Sequence, residues 1–211
     1  HGQSDGKRGH IRSYAITDEM IDSLLDQCSK TFPGIPLFLY GHSLGGGMVL
    51  DYMLRKNPPV KGAIVTSPWL KLSFEPEKSK IRLAGIMKNI LPSLVQSSGL
   101  VVDHLSRDRE VVEKYKKDPL VHGLISVSLF HSAMTAASRS LHNASSLKKP
   151  LLLMHGTDDR ICSSEGSREF AEKTPLAELR LWEGAYHELH NDLCRHEVFD
   201  AIRNWLETKL S

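Results

Sequence analysis

A short apolar run, Leu37 to Tyr40, leads directly into Gly41-His42-Ser43-Leu44-Gly45. A helical stretch from Met48 to Lys56 then continues until Pro58-Pro59 ends it. A buried strand, a sharp turn with serine at its apex and glycine two residues to either side, and then a helix form the pattern of a nucleophile elbow. The turn holds the serine in a strained backbone conformation, and the flanking glycines leave room for neighbouring chain. The hydroxyl then stands at a helix N-terminus, where partial positive charge favours a developing oxyanion. Ser43 is thus the candidate nucleophile and the Leu44 N–H a candidate oxyanion donor. The five-residue pattern alone arises by chance; its strand–turn–helix setting makes it specific.

Around the elbow, helical and strand patterns alternate, as in a mostly parallel sheet covered by helices on both faces. Thr17, followed by Asp18 and Glu19, reads as an N-cap, and Ile21, Leu24, Leu25 and Cys28 continue at helical spacing to Pro33-Gly34. Strands are expected at Val60–Val65, Leu151–Met154 and Glu178–Trp182, the last alternating polar and apolar like an edge strand. Val198, Phe199, Ile202, Trp205 and Leu206 predict an amphipathic closing helix. Between Pro68 and about Leu147 the alternation breaks. Leu83, Ile86, Met87, Ile90, Leu91 and Leu94 keep helical spacing there with little sign of strands. The chain therefore divides into a core (1–68), an all-helical cap inserted over the site (69–147) and a second part of the core (148–211).

A base and an acid belong after later strands, in the order Ser, Asp, His. Gly156-Thr157-Asp158-Asp159-Arg160 follows one strand and Glu183-Gly184-Ala185-Tyr186-His187 follows the next. Of the two adjacent carboxylates Asp159 is favoured as the acid, with Asp158 a turn former. His187 is favoured over His190 as the base because it comes first after its strand. His190, three residues on, faces roughly the same side if the segment is helical and would line the pocket. His42 points away from Ser43 as a packing residue at the pocket wall rather than a base. Cys162 stands either near the site, where thiol reagents would affect the protein, or buried and inert.

Composition narrows the alternatives. Lys and Arg total 27 against 25 Asp and Glu, so the balance gives no electrostatic footprint for nucleic acid. The three cysteines, Cys28, Cys162 and Cys194, have neither disulfide-framework nor metal-ligand spacing, which fits a reducing, cytoplasmic setting. No apolar run reaches the length of a membrane span.

With these residues placed, the chain resembles the monoacylglycerol lipase family, a branch of the α/β hydrolases that includes lysophospholipases. The resemblance runs along the whole chain. It includes His1-Gly2-Gln3-Ser4-Asp5-Gly6 with Arg8-Gly9-His10, the elbow through Gly46, Ser67-Pro68, Tyr115 with Asp118-Pro119-Leu120, and the two later loops. It implies Asp159 as the acid, His187 as the base, and His190 near the polar end of the substrate; Tyr115 and His42 are further candidates for substrate binding. It also implies strands ahead of His1, one of which carries the second oxyanion donor. These have no counterpart here, so the chain is expected to be a truncated form whose Leu37–Tyr40 strand lacks a neighbour and exposes unpaired backbone.

The expected activity is cleavage of a fatty-acyl ester, a monoacylglycerol or a lysophospholipid, through an acyl-enzyme on Ser43 without metal or organic cofactor. Ile86, Ile90 and their neighbours would present an apolar face to the acyl chain and touch a membrane or micelle peripherally, or simply pack the cap onto the core. The rival expectations are a short-chain carboxylesterase and a catalytically impaired remnant or binding module.

Overall fold

A computed structural model describes residues 2–74, 85–87 and 90–210; the expectation for Leu83 lies outside them. The elbow strand is β1 (Phe38–His42), followed by α2 (Ser43–Lys56) and β2 (Gly62–Thr66). The other two core strands are β5 (Leu151–Gly156) and β6 (Ala177–Trp182). They form one four-stranded sheet in the order β1-β2-β5-β6, with every pair parallel. β1 pairs with β2 from Phe38↔Gly62 to His42↔Thr66, and among the described residues no strand lies on its other side. Tyr40, on this edge, is 49% exposed. β6 forms the opposite edge, as its alternating pattern predicts.

Successive residues of the central strands point to opposite faces of the sheet, and the core divides accordingly. Ala63 and Val65 of β2 join Leu151 and Leu153 of β5 on one face, where α1 (Tyr14–Thr31), α2 and α5 (Ser164–Glu172) supply Leu25, Val49, Leu50 and Phe170. Ile64, Leu152 and Met154 face the other way and meet Val198 and Trp205 of α6 (Arg195–Leu210). Each Val, Leu, Ile, Met or Phe side chain among them, fully removed from water, contributes about 1.5–3 kcal/mol.

The segment expected to be all-helical contains strands as well as helices. It holds β3 (Val95–Ser97), α3 (Arg109–Lys117) and β4 (Leu124–Ser126), with β3 and β4 forming a two-stranded antiparallel sheet. Runs of three residues carry too little alternation to be read from sequence. β4 is also pinned to the amino-terminal loop, because Ser126 N–H donates to the Gly9 carbonyl at 2.7 Å. α4 (Val127–His142) packs against α2. Its Ala133 and Ala136 are buried in a cluster that Leu44, Met48 and Trp69 pack against. These small residues let α2 and α4 approach closely.

α1 begins at Tyr14 with Ser13 at its N-cap, four residues earlier than the expected cap at Thr17. Thr17 lies within the first turn, its hydroxyl donating to the Tyr14 carbonyl. Asp18 is likewise engaged elsewhere, taking two hydrogen bonds from Arg55 of α2. Arg55 also donates to Asp51, which is almost fully buried and receives a two-pronged contact from Arg139 of α4. One carboxylate thus ties α2 to α4, and Arg55 carries the network on to α1. No described helix is long and apolar enough to cross a membrane.

Replacing both Arg55 and Arg139 by Met leaves the Asp51 carboxylate buried without a cation. It should cost about 3–5 kcal/mol in urea unfolding. Either single replacement should cost distinctly less, because the remaining arginine still pairs.

Candidate active site

Each candidate side chain stands just past the carboxyl end of a sheet strand: Ser43 after β1, Asp159 after β5 and His187 after β6. Ser43 has φ +53°, a left-handed conformation that a residue with a Cβ adopts only under constraint. That constraint is visible in its neighbours. A Cβ at Gly41 would lie 2.7 Å from the Gly45 carbonyl oxygen and 2.9 Å from the Gly46 Cα. A Cβ at Gly46 would meet Val65 at 3.0 Å and Pro68 at 3.2 Å. Position 45 differs from the expectation, for nothing lies within 4 Å of a Cβ there. The tight glycines are thus 41 and 46, because α2 turns its 46 face, not its 45 face, onto β2 and the chain after it.

His187 Nε2 lies 2.8 Å from Ser43 Oγ, and its Nδ1 lies 2.7 Å from Asp159 Oδ2. An ionised carboxylate only accepts, so Nδ1 carries the proton and the Nε2 lone pair faces the serine hydroxyl. Asp159 is buried, and burial alone would raise its pKa. Hydrogen bonds from His155 and His187 overcome this and hold it well below the usual carboxylate range. Its other oxygen accepts the Ile161 N–H at 2.8 Å and the Cys162 N–H at 3.0 Å. Asp158 is exposed and turned away, its N–H donating to the Ala185 carbonyl.

His155, fully buried, was missed by sequence reasoning. Its Nε2 faces two acceptors, Asp159 Oδ2 at 3.1 Å and the Cys162 carbonyl at 3.0 Å, so that nitrogen must carry a proton. Ser167 hydrogen-bonds the opposite nitrogen at 2.8 Å. The available signal was a lone polar residue closing the apolar run Leu151–Met154. Ser67, also buried and at φ +44°, donates to the His187 carbonyl at 2.7 Å. Gly156 completes the assembly: a Cβ there would collide with the Ala185 and Tyr186 carbonyls, so only glycine lets the His187 loop cross β5 this closely.

His42 and His190 come together beside the serine. The His42 ring lies 4.8 Å from both His187 and His190, and its Nδ1 is hydrogen-bonded to Thr66. Tyr40 contacts the same Thr66 hydroxyl and reaches His190 at 3.4 Å. Burial, then the neighbouring histidines, push His42 well below the ordinary histidine value; burial also lowers His190. Both imidazoles are therefore neutral near pH 7. Tyr115 is half-buried on α3 and senses the Glu188 charge, one residue past His187. Ile86 and Ile90 are 61% and 65% exposed. Cys162 is fully buried, and burial with Asp159 nearby pushes its thiol pKa well up, making it a packing residue. Among the described residues no cluster of His, Cys, Asp and Glu is placed to hold a metal ion.

A parallel sheet with a serine elbow at a strand end, next to a histidine and a carboxylate in hydrogen-bonded series, defines a serine hydrolase of the α/β-hydrolase class. Residues 1–194 match the family described as serine aminopeptidase, S33, and the chain belongs to that family. It is 32% identical, over its full length, to an uncharacterised abhydrolase domain-containing protein of Dictyostelium discoideum, of which it spans 22%. It is 31% identical to the human monoglyceride lipase over 99% of its own length and 71% of that protein. Among solved structures, the Paleococcus ferrophilus monoacylglycerol lipase superposes with a TM-score of 0.91 at 36% identity, covering 99% of this chain and 80% of that one.

Two outcomes test this geometry. Gly41→Ala and Gly46→Ala should each lower the urea midpoint clearly, while Gly45→Ala should be neutral or stabilising by about 0.5–1 kcal/mol. For pH, a histidine whose folded pKa is depressed takes up a proton on unfolding, so native stability falls as pH drops below its ordinary value of 6.5. The melting temperature should therefore fall between pH 7.5 and pH 5.5, and less steeply in His42→Asn. Asp159 acts in a lower window: its contribution is present above its ordinary value of 3.8 and is lost on further acidification.

Proposed function

We infer that this chain hydrolyses the ester of a long-chain fatty acid with a small neutral alcohol, a monoacylglycerol, through a triad of Ser43, His187 and Asp159. The hydrogen-bonded series from Ser43 Oγ through His187 to Asp159 carries the reading. His187 Nε2 takes the serine proton as Oγ attacks the ester carbonyl, and the buried Asp159 stabilises the imidazolium that results. The Leu44 N–H, first in the chain after the nucleophile at the start of α2, is assigned to the oxyanion. His187 then protonates the leaving alcohol, and water activated by the same ring releases the acid from Ser43.

The environment supports an uncharged head group. His42 and His190, grouped beside the His187 ring, are held neutral and offer hydrogen bonds without a fixed positive charge. Such a pair suits glycerol hydroxyls better than a phosphate. We assign the cap to 69–126, short of the helix that packs on α2, and the remaining parts to the core. The exposed Ile86, Ile90, Leu91 and Leu94 give that cap an apolar surface where a lipid or a micelle would be met. The solved and curated relatives named as monoacylglycerol and monoglyceride lipases point the same way.

A fluorophosphonate probe should label the 211-residue chain at Ser43, and Ser43→Ala should abolish the label. Loss of His187 should lower kcat about 10⁶-fold and Asp159→Asn about 10⁴-fold. Turnover should be faster on 1-oleoylglycerol than on lysophosphatidylcholine or p-nitrophenyl acetate. Faster turnover of the acetate would instead identify a short-chain esterase, and a chain that folds but neither labels nor turns over would be a binding remnant.

A further inference from the structure

Four consecutive cap residues, Leu105 to Asp108, each bond the segment that begins at His187. The Leu105 carbonyl accepts the Glu188 N–H at 2.8 Å, and Ser106 Oγ donates to the Asn191 carbonyl at 2.9 Å. Arg107 Nε donates to Asp192 Oδ1 at 2.7 Å, and its own backbone N–H donates to Oδ2 at 3.1 Å. Asp108 pairs with Arg195 at 3.1 Å while its other oxygen caps α3 by accepting the Glu110 N–H. Such a run of contacts exceeds what a surface loop needs to be held in place.

Asp192 is the centre of the arrangement. It is fully buried, and besides the two donors of Arg107 it accepts the Tyr186 N–H at 3.1 Å and the Leu193 N–H at 2.6 Å. Tyr186 directly precedes His187. The backbone around His187 is therefore fixed at three successive points: Tyr186 N–H by Asp192, the His187 carbonyl by Ser67, and Glu188 N–H by Leu105. Two of the three depend on cap residues 105–108. The Arg107 guanidinium also lies against Gly184, where an added Cβ would meet Nη1 at 3.6 Å, so it braces the same loop from outside.

We propose that Arg107, acting through the buried Asp192 carboxylate, is a positioning residue through which the cap sets the aim of His187 at Ser43. The proposal rests on the reading of His187 as the base. Arg107 touches neither substrate nor the reacting atoms; it fixes where the loop carrying the ring begins. Because Asp108 both closes this clasp and starts α3, a displacement of α3, which carries Tyr115, is transmitted to the histidine. Binding energy gathered on the cap thereby becomes alignment of the base. An error of about 1 Å in such alignment costs up to about 10²-fold in rate.

The test uses the 211-residue chain with Arg107→Ala and Arg107→Lys, assayed below their melting temperatures. The first readout is the downfield proton resonance of His187 Nδ1–H in its bond to Asp159, assigned by its loss in His187→Gln. In Arg107→Ala this resonance should broaden or shift. For a p-nitrophenyl ester, kcat should fall about 10- to 100-fold with KM within twofold and the acid limb of the pH profile displaced. Arg107→Lys, which keeps the charge without the guanidinium fork, should lie between wild type and Ala. Wild-type resonance and kcat in either folded variant would overturn the proposal, including when Arg107→Ala fails to fold and only the lysine variant can be read. If the wild type neither labels with a fluorophosphonate nor turns over, the reading of the base fails, and the proton resonance still decides on the clasp.

Discussion

The loop after β6 crosses the end of β5 so closely that the carbonyls of Ala185 and Tyr186 occupy the space a side chain at 156 would need. Thr157 and Asp158 N–H groups bond the Trp182 and Ala185 carbonyls, and the Thr157 hydroxyl accepts the Gly184 N–H, so two strand ends are laced into one platform. That lacing puts Asp159 and His187 within hydrogen-bond reach although 28 residues separate them. β1 then has only to deliver Ser43 to the same side of the sheet. The parallel register guarantees this, because all four strands end their carboxyl termini along one edge of the sheet.

The electrostatics follow from the same closeness. One carboxylate is buried with a full set of N–H donors, while the imidazoles beside the serine are kept from charging by burial and by one another. A second cation next to His187 would oppose formation of its imidazolium. The neutral His42 and His190 add no charge beside His187, whose Nδ1 faces the Asp159 carboxylate. The polar wall of the site can thus offer hydrogen bonds without competing with the reaction for charge.

Much of this was legible in the chain. The elbow, the order Ser43, Asp159, His187 and the four core strands follow from apolar runs that end in polar or glycine-rich loops, a signal contained within ten residues at a time. Of the two adjacent carboxylates only Asp159 is buried. Thr17 was misleading because a threonine inside a first turn and one at a cap look alike in sequence; the Arg55–Asp18 contact shows which it is. His155, Ser67 and Asp192 were silent for another reason. Ser67 and Asp192 matter through partners far along the chain, and the one polar residue at the end of an apolar strand gives no sign of which groups His155 will meet. The packing of α4 on α2 was hidden too, since α4 carries its apolar face at the same spacing whichever surface it covers.

The open space at Gly45 bears on how chains of this kind are recognised and altered. The glycine the packing demands on the helical side is Gly46, pressed between β2 and Pro68, while the residue that completes the familiar five-letter signature meets nothing. A search that insists on glycine two places after the serine would discard chains able to build the same turn, and one anchored on positions 41 and 46 would keep them. For redesign, position 45 faces open space two residues after Ser43, where a new side chain can be grafted without moving the backbone that holds that serine.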